Sequence, residues 1–204
     1  QRQMCIRDSN GIINHYEYII NSEGTIEIRH VLKPEGKMPL WFPRIGLTLT
    51  VSDALDQVKW YGRGPQENYP DRKTGYPMGI YASTVQAMYE PYLMPQDYGL
   101  RTDVRWLQLT TDKGIGLQFK MNEWFNFNIY PYSTDNLTKA MYTYQLQKQK
   151  GMTLNLDYAT TGVGCTARGV FGAYKAMPQE YRRTISIRPV SYTHLRAHET
   201  LMNL

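Results

Sequence analysis

Ile115-Gly116-Leu117-Gln118-Phe119-Lys120-Met121 alternates large apolar with small or polar residues at a period of two, the spacing of a strand with one face on a core. Asp112-Lys113-Gly114 in front of it is a turn, and Phe125, Phe127 and Ile129 continue the alternation behind it. Upstream, Thr102 to Leu109 has strand pattern, and Ile45, Leu47, Leu49 and Val51 alternate with Gly46, Thr48 and Thr50. Leu55 to Tyr61 is expected to supply the neighbour of that strand. Ile26, Ile28 and His30 alternate with Glu27 and Arg29 after Asn21-Ser22-Glu23-Gly24, which predicts a hairpin over Gly11 to Leu32. Downstream, Tyr142-Tyr144-Leu146 and Met152-Leu154-Leu156-Tyr158 flank Gln149-Lys150-Gly151, and Ile185 and Ile187 close the pattern. Lys33 to Pro43 reads as a linker, and Thr84 to Tyr98 as irregular chain broken by Pro91 and Pro95.

Only Ser133 to Met141 reads as helix, with Ser133 or Thr134 as cap and Asp135 in the first turn, where its charge meets the helix dipole favourably. One short helix among strands that alternate, instead of running continuously apolar, predicts an all-β fold: a large antiparallel β-sandwich.

Seventeen tyrosines and four tryptophans against five phenylalanines favour amphipathic rings, which suit half-buried sheets and equally suit stacking on sugar faces. The formal charge of +5 is mild and its basic residues are scattered, so neither nucleic acid nor an anionic membrane is an expected partner. No apolar stretch approaches the roughly 20 residues that span a bilayer, and no charged-then-apolar leader opens the chain.

The two ends differ in character from the middle. Residues 1–9 and 190–204 resemble translated sequencing-adapter sequence and are read as non-native scars around a domain over residues 10–189, itself open to truncation on its N-terminal side. Without Arg2, Arg7, Arg196, Asp8 and Glu199 the balance is 20 bases against 16 acids, so the charge argument is unchanged. Cys5 falls in the first of these stretches, and Cys165 alone offers neither a disulfide nor a cysteine-based metal site.

The most unusual stretch is Gly62-Arg63-Gly64-Pro65-Gln66-Glu67-Asn68-Tyr69-Pro70-Asp71-Arg72. Its glycines and prolines make it an ordered loop, stiff and not floppy, with no room for helix or strand. Glu67 and Asp71 are expected to hold Arg72 and Arg63 in two-pronged hydrogen bonds. Two readings stand side by side: a structural ion-pair loop, or a loop facing a sugar. A second block, Met94-Pro95-Gln96-Asp97-Tyr98-Gly99-Leu100-Arg101-Thr102-Asp103-Val104-Arg105-Trp106, places Arg101, Asp103 and Arg105 on one face of a strand by alternation, with the acid braced between two guanidinium groups. A third runs from Phe125-Asn126-Phe127-Asn128-Ile129 through Leu154-Asn155-Leu156-Asp157 to Gly162-Val163-Gly164-Cys165-Thr166-Ala167-Arg168.

These blocks resemble the C-terminal region, or small chain, of family-two β-galactosidases. The first matches that family's Gly-x-Gly-Pro-x-Glu-Asn-Tyr-x-Asp-Arg signature nearly unbroken, with Asn68 and Tyr69 in place, and the second matches its Arg-Thr-Asp-Val-Arg-Trp run, with Asp97 and Tyr98 departing from the commonest form. The resemblance covers about Ile12 to Pro189. It implies a super-sandwich like that of galactose mutarotase, a retaining hydrolysis of terminal β-D-galactosides, and catalytic glutamates in a separate upstream barrel domain. It also implies a divalent cation (Mg or Ca) or Na in the intact enzyme, contact with the barrel, and room for a homo-oligomer. In the best-known branch the glycine loop carries a tryptophan that forms a platform for the leaving group, whereas here no tryptophan follows Trp124. Gly162, Gly164, Cys165 and Arg168 are therefore the candidate substrate-binding residues, with Phe171 or Tyr174 as further substitutes for the ring.

Within the chain itself, chemistry has few candidates. A retaining glycosidase needs two carboxyl groups facing one sugar; Glu67, Asp71, Asp97, Asp103, Glu123 and Asp157 are available, and a structural role is the first reading for each. Mutarotation needs a proton-transfer group such as histidine, and none occurs between Val31 and Tyr192. His15 and His30 lie on the first hairpin, where a satisfied surface or core role is expected, and Cys165 has no evident base. No catalytic residue is assigned to this chain. The alternative to a β-galactosidase part is a non-catalytic carbohydrate-binding or assembly domain of another glycosidase.

Overall fold

The computed structural model describes residues 11–165 and 168–191. Residues 1–9 and 192–204, most of the two adapter-like stretches, lie outside the described residues, as do Thr166 and Ala167 of the glycine loop.

Nine strands form one antiparallel sheet: β1 (Gly11–Ile20), β2 (Ile26–Glu35), β3 (Arg44–Val51), β4 (Gln57–Arg63), β5 (Met78–Thr84), β6 (Arg101–Thr110), β7 (Gly116–Tyr130), β8 (Met152–Thr160) and β9 (Tyr181–Val190). The order is β1-β2-β9-β7-β6-β4-β5, with β8 also on β7 and β3 on β8. The fold is all-β and sandwich-like, as the alternation predicts. At 15 residues β7 is the longest strand and organises the rest. Its first half pairs with β9, its second half with β8, and β6 lies along its other edge. A strand that changes partner midway curls the sheet over its own apolar face, where Trp60, Leu107, Phe119, Phe127, Leu154 and Leu156 are sealed from water.

The first hairpin forms as expected around Asn21, whose Oδ1 accepts from the backbone N–H of Glu23 and Thr25. The helix α1 (Thr134–Lys139) is capped by Ser133, whose Oγ accepts from Asn136 N at 3.1 Å, and it packs Leu137 against Tyr98 and Tyr130.

Several expectations are corrected. β4 pairs with β5 and β6, not with β3, whose partner is β8 more than a hundred residues later; alternation fixes the faces of a strand but not its neighbour. β4 also continues through Gly62 and Arg63, so the ordered loop starts at Gly64. A Cβ on Gly62 would stand 2.8 Å from Val104 Cγ2, so this glycine serves the close approach of β6 and not a turn. Tyr142 to Leu146 is a short 3-10 turn at Thr143–Gln145, because the Gln145 side chain accepts from the N–H groups of Met141 and Tyr142 and closes the chain on itself. β1 has no buried face: Ile13, Tyr18 and Ile20 are exposed, because among the described residues β1 is an edge strand paired only with β2.

His30 is a satisfied core histidine. It is 1% exposed, its ring nitrogens meet Tyr158 Oη at 2.7 Å and Asn14 Oδ1 at 3.0 Å, and Tyr16 stacks on it at 4.1 Å. Burial lowers its pKa from 6.5 to about 4. In that window the unfolded chain binds a proton here that the folded chain does not, so stability is lost as pH falls from about 6.5 towards 4. Denaturant unfolding across this range should therefore show the parent losing stability relative to a His30→Gln variant as pH falls. Parallel pH profiles for the two proteins would contradict a neutral, buried His30.

Candidate functional site

The three sequence blocks, far apart in the chain, converge on one cleft of about 1220 Å³. The first contributes Tyr69 and Arg72, the second Gln96 and Asp97, and the third Val163, Gly164 and Cys165, with Arg44, Tyr92 and Thr160 between them.

The first loop is held by a buried carboxylate. Glu67 is 5% exposed and accepts from Arg72 Nη2 at 2.8 Å, Tyr69 Oη at 3.3 Å, Gly99 N at 2.9 Å and the Tyr92 hydroxyl. Four donors saturate both oxygens, which makes burial of the charge tolerable. Burial and the neighbouring Glu67 together push the Tyr69 hydroxyl well above its ordinary pKa, keeping it protonated as a donor. Arg72 also lies over the Tyr69 ring. Asn68, fully buried, accepts from Thr102 N at 3.0 Å and from the Thr102 hydroxyl, tying the loop to the start of β6.

The arginine pairings differ from the expected ones. Glu67 does hold Arg72, but Arg63 reaches Asp103 at 2.6 Å, and Lys73 joins the same carboxylate at 3.0 Å. Arg101 and Arg105 do not brace Asp103. The reason is a shift of register against β7 on either side of Val104, with Asp103 at φ 55°, which breaks the alternation on which that reading rests. Arg101 is buried over the Trp60 ring, donates to Gly99 O and Leu100 O, and is lowered by burial to about 10. Arg105 is exposed and lies over the rings of Tyr61 and Trp124.

Asp71 holds no arginine among the described residues. Its carboxylate reaches across to the glycine loop, where it accepts from Val163 N at 3.1 Å and Gly164 N at 2.7 Å. Gly162 is glycine because a Cβ there would lie 2.3 Å from the Asp71 carboxyl carbon, and Gly164 has φ +68°, in the left-handed region that favours glycine. Gly162 N in turn donates to Tyr174 O. The backbones of Cys165 and Arg168 bond each other at 3.1 and 3.2 Å, closing the loop. Cys165 is exposed at the cleft; Arg168, Phe171 and Tyr174 are exposed, but none of the three lines it.

Beside these loops, Arg44 Nη2 bridges two carboxylates, Asp97 at 3.2 Å and Asp157 at 3.1 Å. Asn128 donates to Asp97 at 2.9 Å. Burial raises Asp157 to about 7 despite the opposing charge of Arg44, but at 1% exposure its carboxyl cannot touch a ligand. Arg44 escapes a sequence reading because nothing in a strand pattern distinguishes an inward-reaching guanidinium at a strand start from a solvated one.

The profile of a family described as Beta galactosidase small chain matches residues 3–188. The chain belongs to that family. Among its curated relatives, the β-galactosidase of Priestia megaterium is 38% identical over 147 residues, 72% of this chain and 14% of that protein. That of Vibrio cholerae is 39% identical over 122 residues, 60% of this chain and 11% of that protein. That of Pseudoalteromonas haloplanktis is 33% identical over 159 residues, 76% of this chain and 14% of that protein. The chain thus spans about a seventh of the length of the relatives it matches. In this small-chain domain the family signature Glu67-Asn68-Tyr69-Pro70-Asp71-Arg72 acquires a physical meaning: Glu67 and Asn68 fix the loop to β6 and its approach, and Asp71 fixes the glycine loop to it.

Two substitutions separate these roles. Glu67→Ala leaves buried donors without an acceptor and should lower stability by about 3–5 kcal/mol, read from the denaturant midpoint. Asp71→Ala should cost less, about 1–3 kcal/mol, while speeding hydrogen exchange at the Val163 and Gly164 amides. Unchanged exchange at those two amides would show that Asp71 does not hold the loop.

Proposed function

We propose that this small-chain domain is the C-terminal part of a β-galactosidase that hydrolyses terminal non-reducing β-D-galactose residues by a retaining two-carboxylate mechanism. The catalytic glutamates lie in an upstream barrel domain, and the glycine loop is presented to the substrate, on the side of its leaving group. The observation that carries this reading is the convergence of the three family blocks on one cleft, with Gly164 and Cys165 at its surface.

The carboxylates of this chain support the division of labour. Glu67 is saturated by four donors, Asp71 holds two backbone amides, Asp103 holds Arg63 and Lys73, Asp97 and Asp157 share Arg44, and Glu123 pairs with Arg183. Each is engaged in holding the domain together, so none is left as a nucleophile facing a sugar. Among the described residues no group of three or more His, Cys, Asp or Glu is placed to share an ion. The domain's own contribution is then binding and positioning. The half-buried Gly164, at the surface of the cleft and without a side chain, admits close approach of a sugar, the Cys165 thiol is a weak donor, and Arg168 is long enough to donate to hydroxyls across a domain boundary.

Two measurements follow from this assignment. The purified chain should not hydrolyse a chromogenic β-galactoside above background, and turnover that persists through repurification would overturn the placement of the catalytic acids outside it. In the full-length parent, Arg168→Ala should change the relative kcat/KM for β-galactosides with different leaving groups while leaving the unfolding midpoint in place. Unaltered ratios across several leaving groups would remove the loop from the substrate.

A further inference from the structure

A second cleft, of about 360 Å³, adjoins the larger one at Thr160 and is not accounted for by the function proposed above. Its lining includes Lys73, Asp103, Trp124, Asn126, Tyr174 and Lys175. The volume is at the small end of ligand pockets, enough for one or two sugar rings.

Two independent features mark it. Asp103 is the one non-glycine residue among those described with a positive φ, at 55°, and it sits where the β6 ladder is broken on both sides of Val104. Bulges re-aim side chains beside binding sites, and left-handed non-glycine residues concentrate where a ligand is held. Here the bulge takes Asp103 out of the ladder: its N–H donates to Asn126 Oδ1 at 3.3 Å, and its carboxylate faces Lys73 at the cleft. The second feature is Trp124. Its indole is 54% exposed at the cleft, and the Arg105 guanidinium, 4.6 Å from the ring centre, covers one face and holds it in place. A large ring fixed in an exposed position is costly to leave bare, and its neighbours Asn126, Lys73 and Tyr174 carry amide, ammonium and hydroxyl groups.

An apolar ring face beside convergent hydrogen-bonding groups fits a pyranose, which has an apolar C–H face and an equatorial rim of hydroxyls. The charges argue for binding and against catalysis, since the carboxylate of Asp103 is balanced by both Arg63 and Lys73. We infer that this cleft is a saccharide-binding subsite, in which Trp124 stacks on a sugar ring while Lys73 and Tyr174 bond its hydroxyls, Asn126 being held by Asp103 N–H and Thr160 Oγ1 as part of its wall. It shares only Thr160 with the lining of the larger cleft, and its occupancy does not depend on where the parent's catalytic acids lie.

The test uses this chain and methyl β-D-galactopyranoside as the probe, followed by NMR at the Trp124 indole N–H. Saturable shifts centred on Trp124 and Asn126 are expected, with affinity weakened about tenfold or more in Trp124→Ala, an exposed position whose truncation leaves the core intact. Gln96→Ala, at an exposed residue that lines the larger cleft and not this one, should bind the probe as the parent does. The proposal is overturned if no saturable shift occurs at Trp124, if the shifts centre instead on Gly164 and Cys165, or if Trp124→Ala binds with unchanged affinity.

Discussion

Two oxygens of Asp71 receive the consecutive backbone N–H groups of Val163 and Gly164, joining two loops more than ninety residues apart in sequence. Neither loop belongs to the sheet, and neither has an apolar run long enough to fix its own position. Their geometry depends on this one carboxylate and on its neighbour Glu67, which gathers donors from Arg72, Tyr69, Tyr92 and Gly99. Four residues apart in the chain, the two acids face different ways: Glu67 inward to the approach of β6, and Asp71 outward to the glycine loop. The large cleft exists because both hold.

Beneath the loops the sheet supplies a frame rigid enough to bring them together. Both halves of β7 reach into the core, with Phe119 paired to β6 and β9 and Phe127 paired to β6 and β8. Because one strand serves both halves of the sheet, the loops after β4, before β6 and after β8 are positioned by a shared set of ladders. The ion pairs at the surface of this frame have unequal weight. Glu27 with Arg29 is solvated and contributes little, whereas Asp157 with Arg44 lies at a buried site where loss of either partner strands a charge.

Much of this was legible in the residues. The period of two in Ile115 to Met121, the Asn21-Ser22-Glu23-Gly24 turn and the Ser133 cap are local signals, and local signals survive folding. What failed depended on long-range geometry. The Arg101-Asp103-Arg105 brace assumed an unbroken strand, and nothing in the residue types announces the register shift at Val104. The arginine partners of Glu67 and Asp71 were half right, because composition shows that acids and bases are present together but not which pairs the chain's path allows. Asp71 binding backbone amides could be suspected from Gly162 and Gly164, since glycines often mark the approach of another group. Trp124 carried no signal beyond being an exposed-capable ring inside an alternating run, and its exposure follows from the break in pairing between the two halves of β7.

Cys165 stands exposed at the glycine loop and is the only cysteine among the described residues, which makes it a direct reporter of whether the loop faces substrate. The decisive measurement is the rate of Cys165 alkylation in the full-length parent, with and without a saturating non-hydrolysable thio-β-galactoside, any other cysteine being followed separately by peptide mapping. Slower alkylation of Cys165 with the sugar bound is the result expected of a substrate-facing loop. An alkylation rate unaffected by the sugar would contradict it and leave the cleft a purely structural junction.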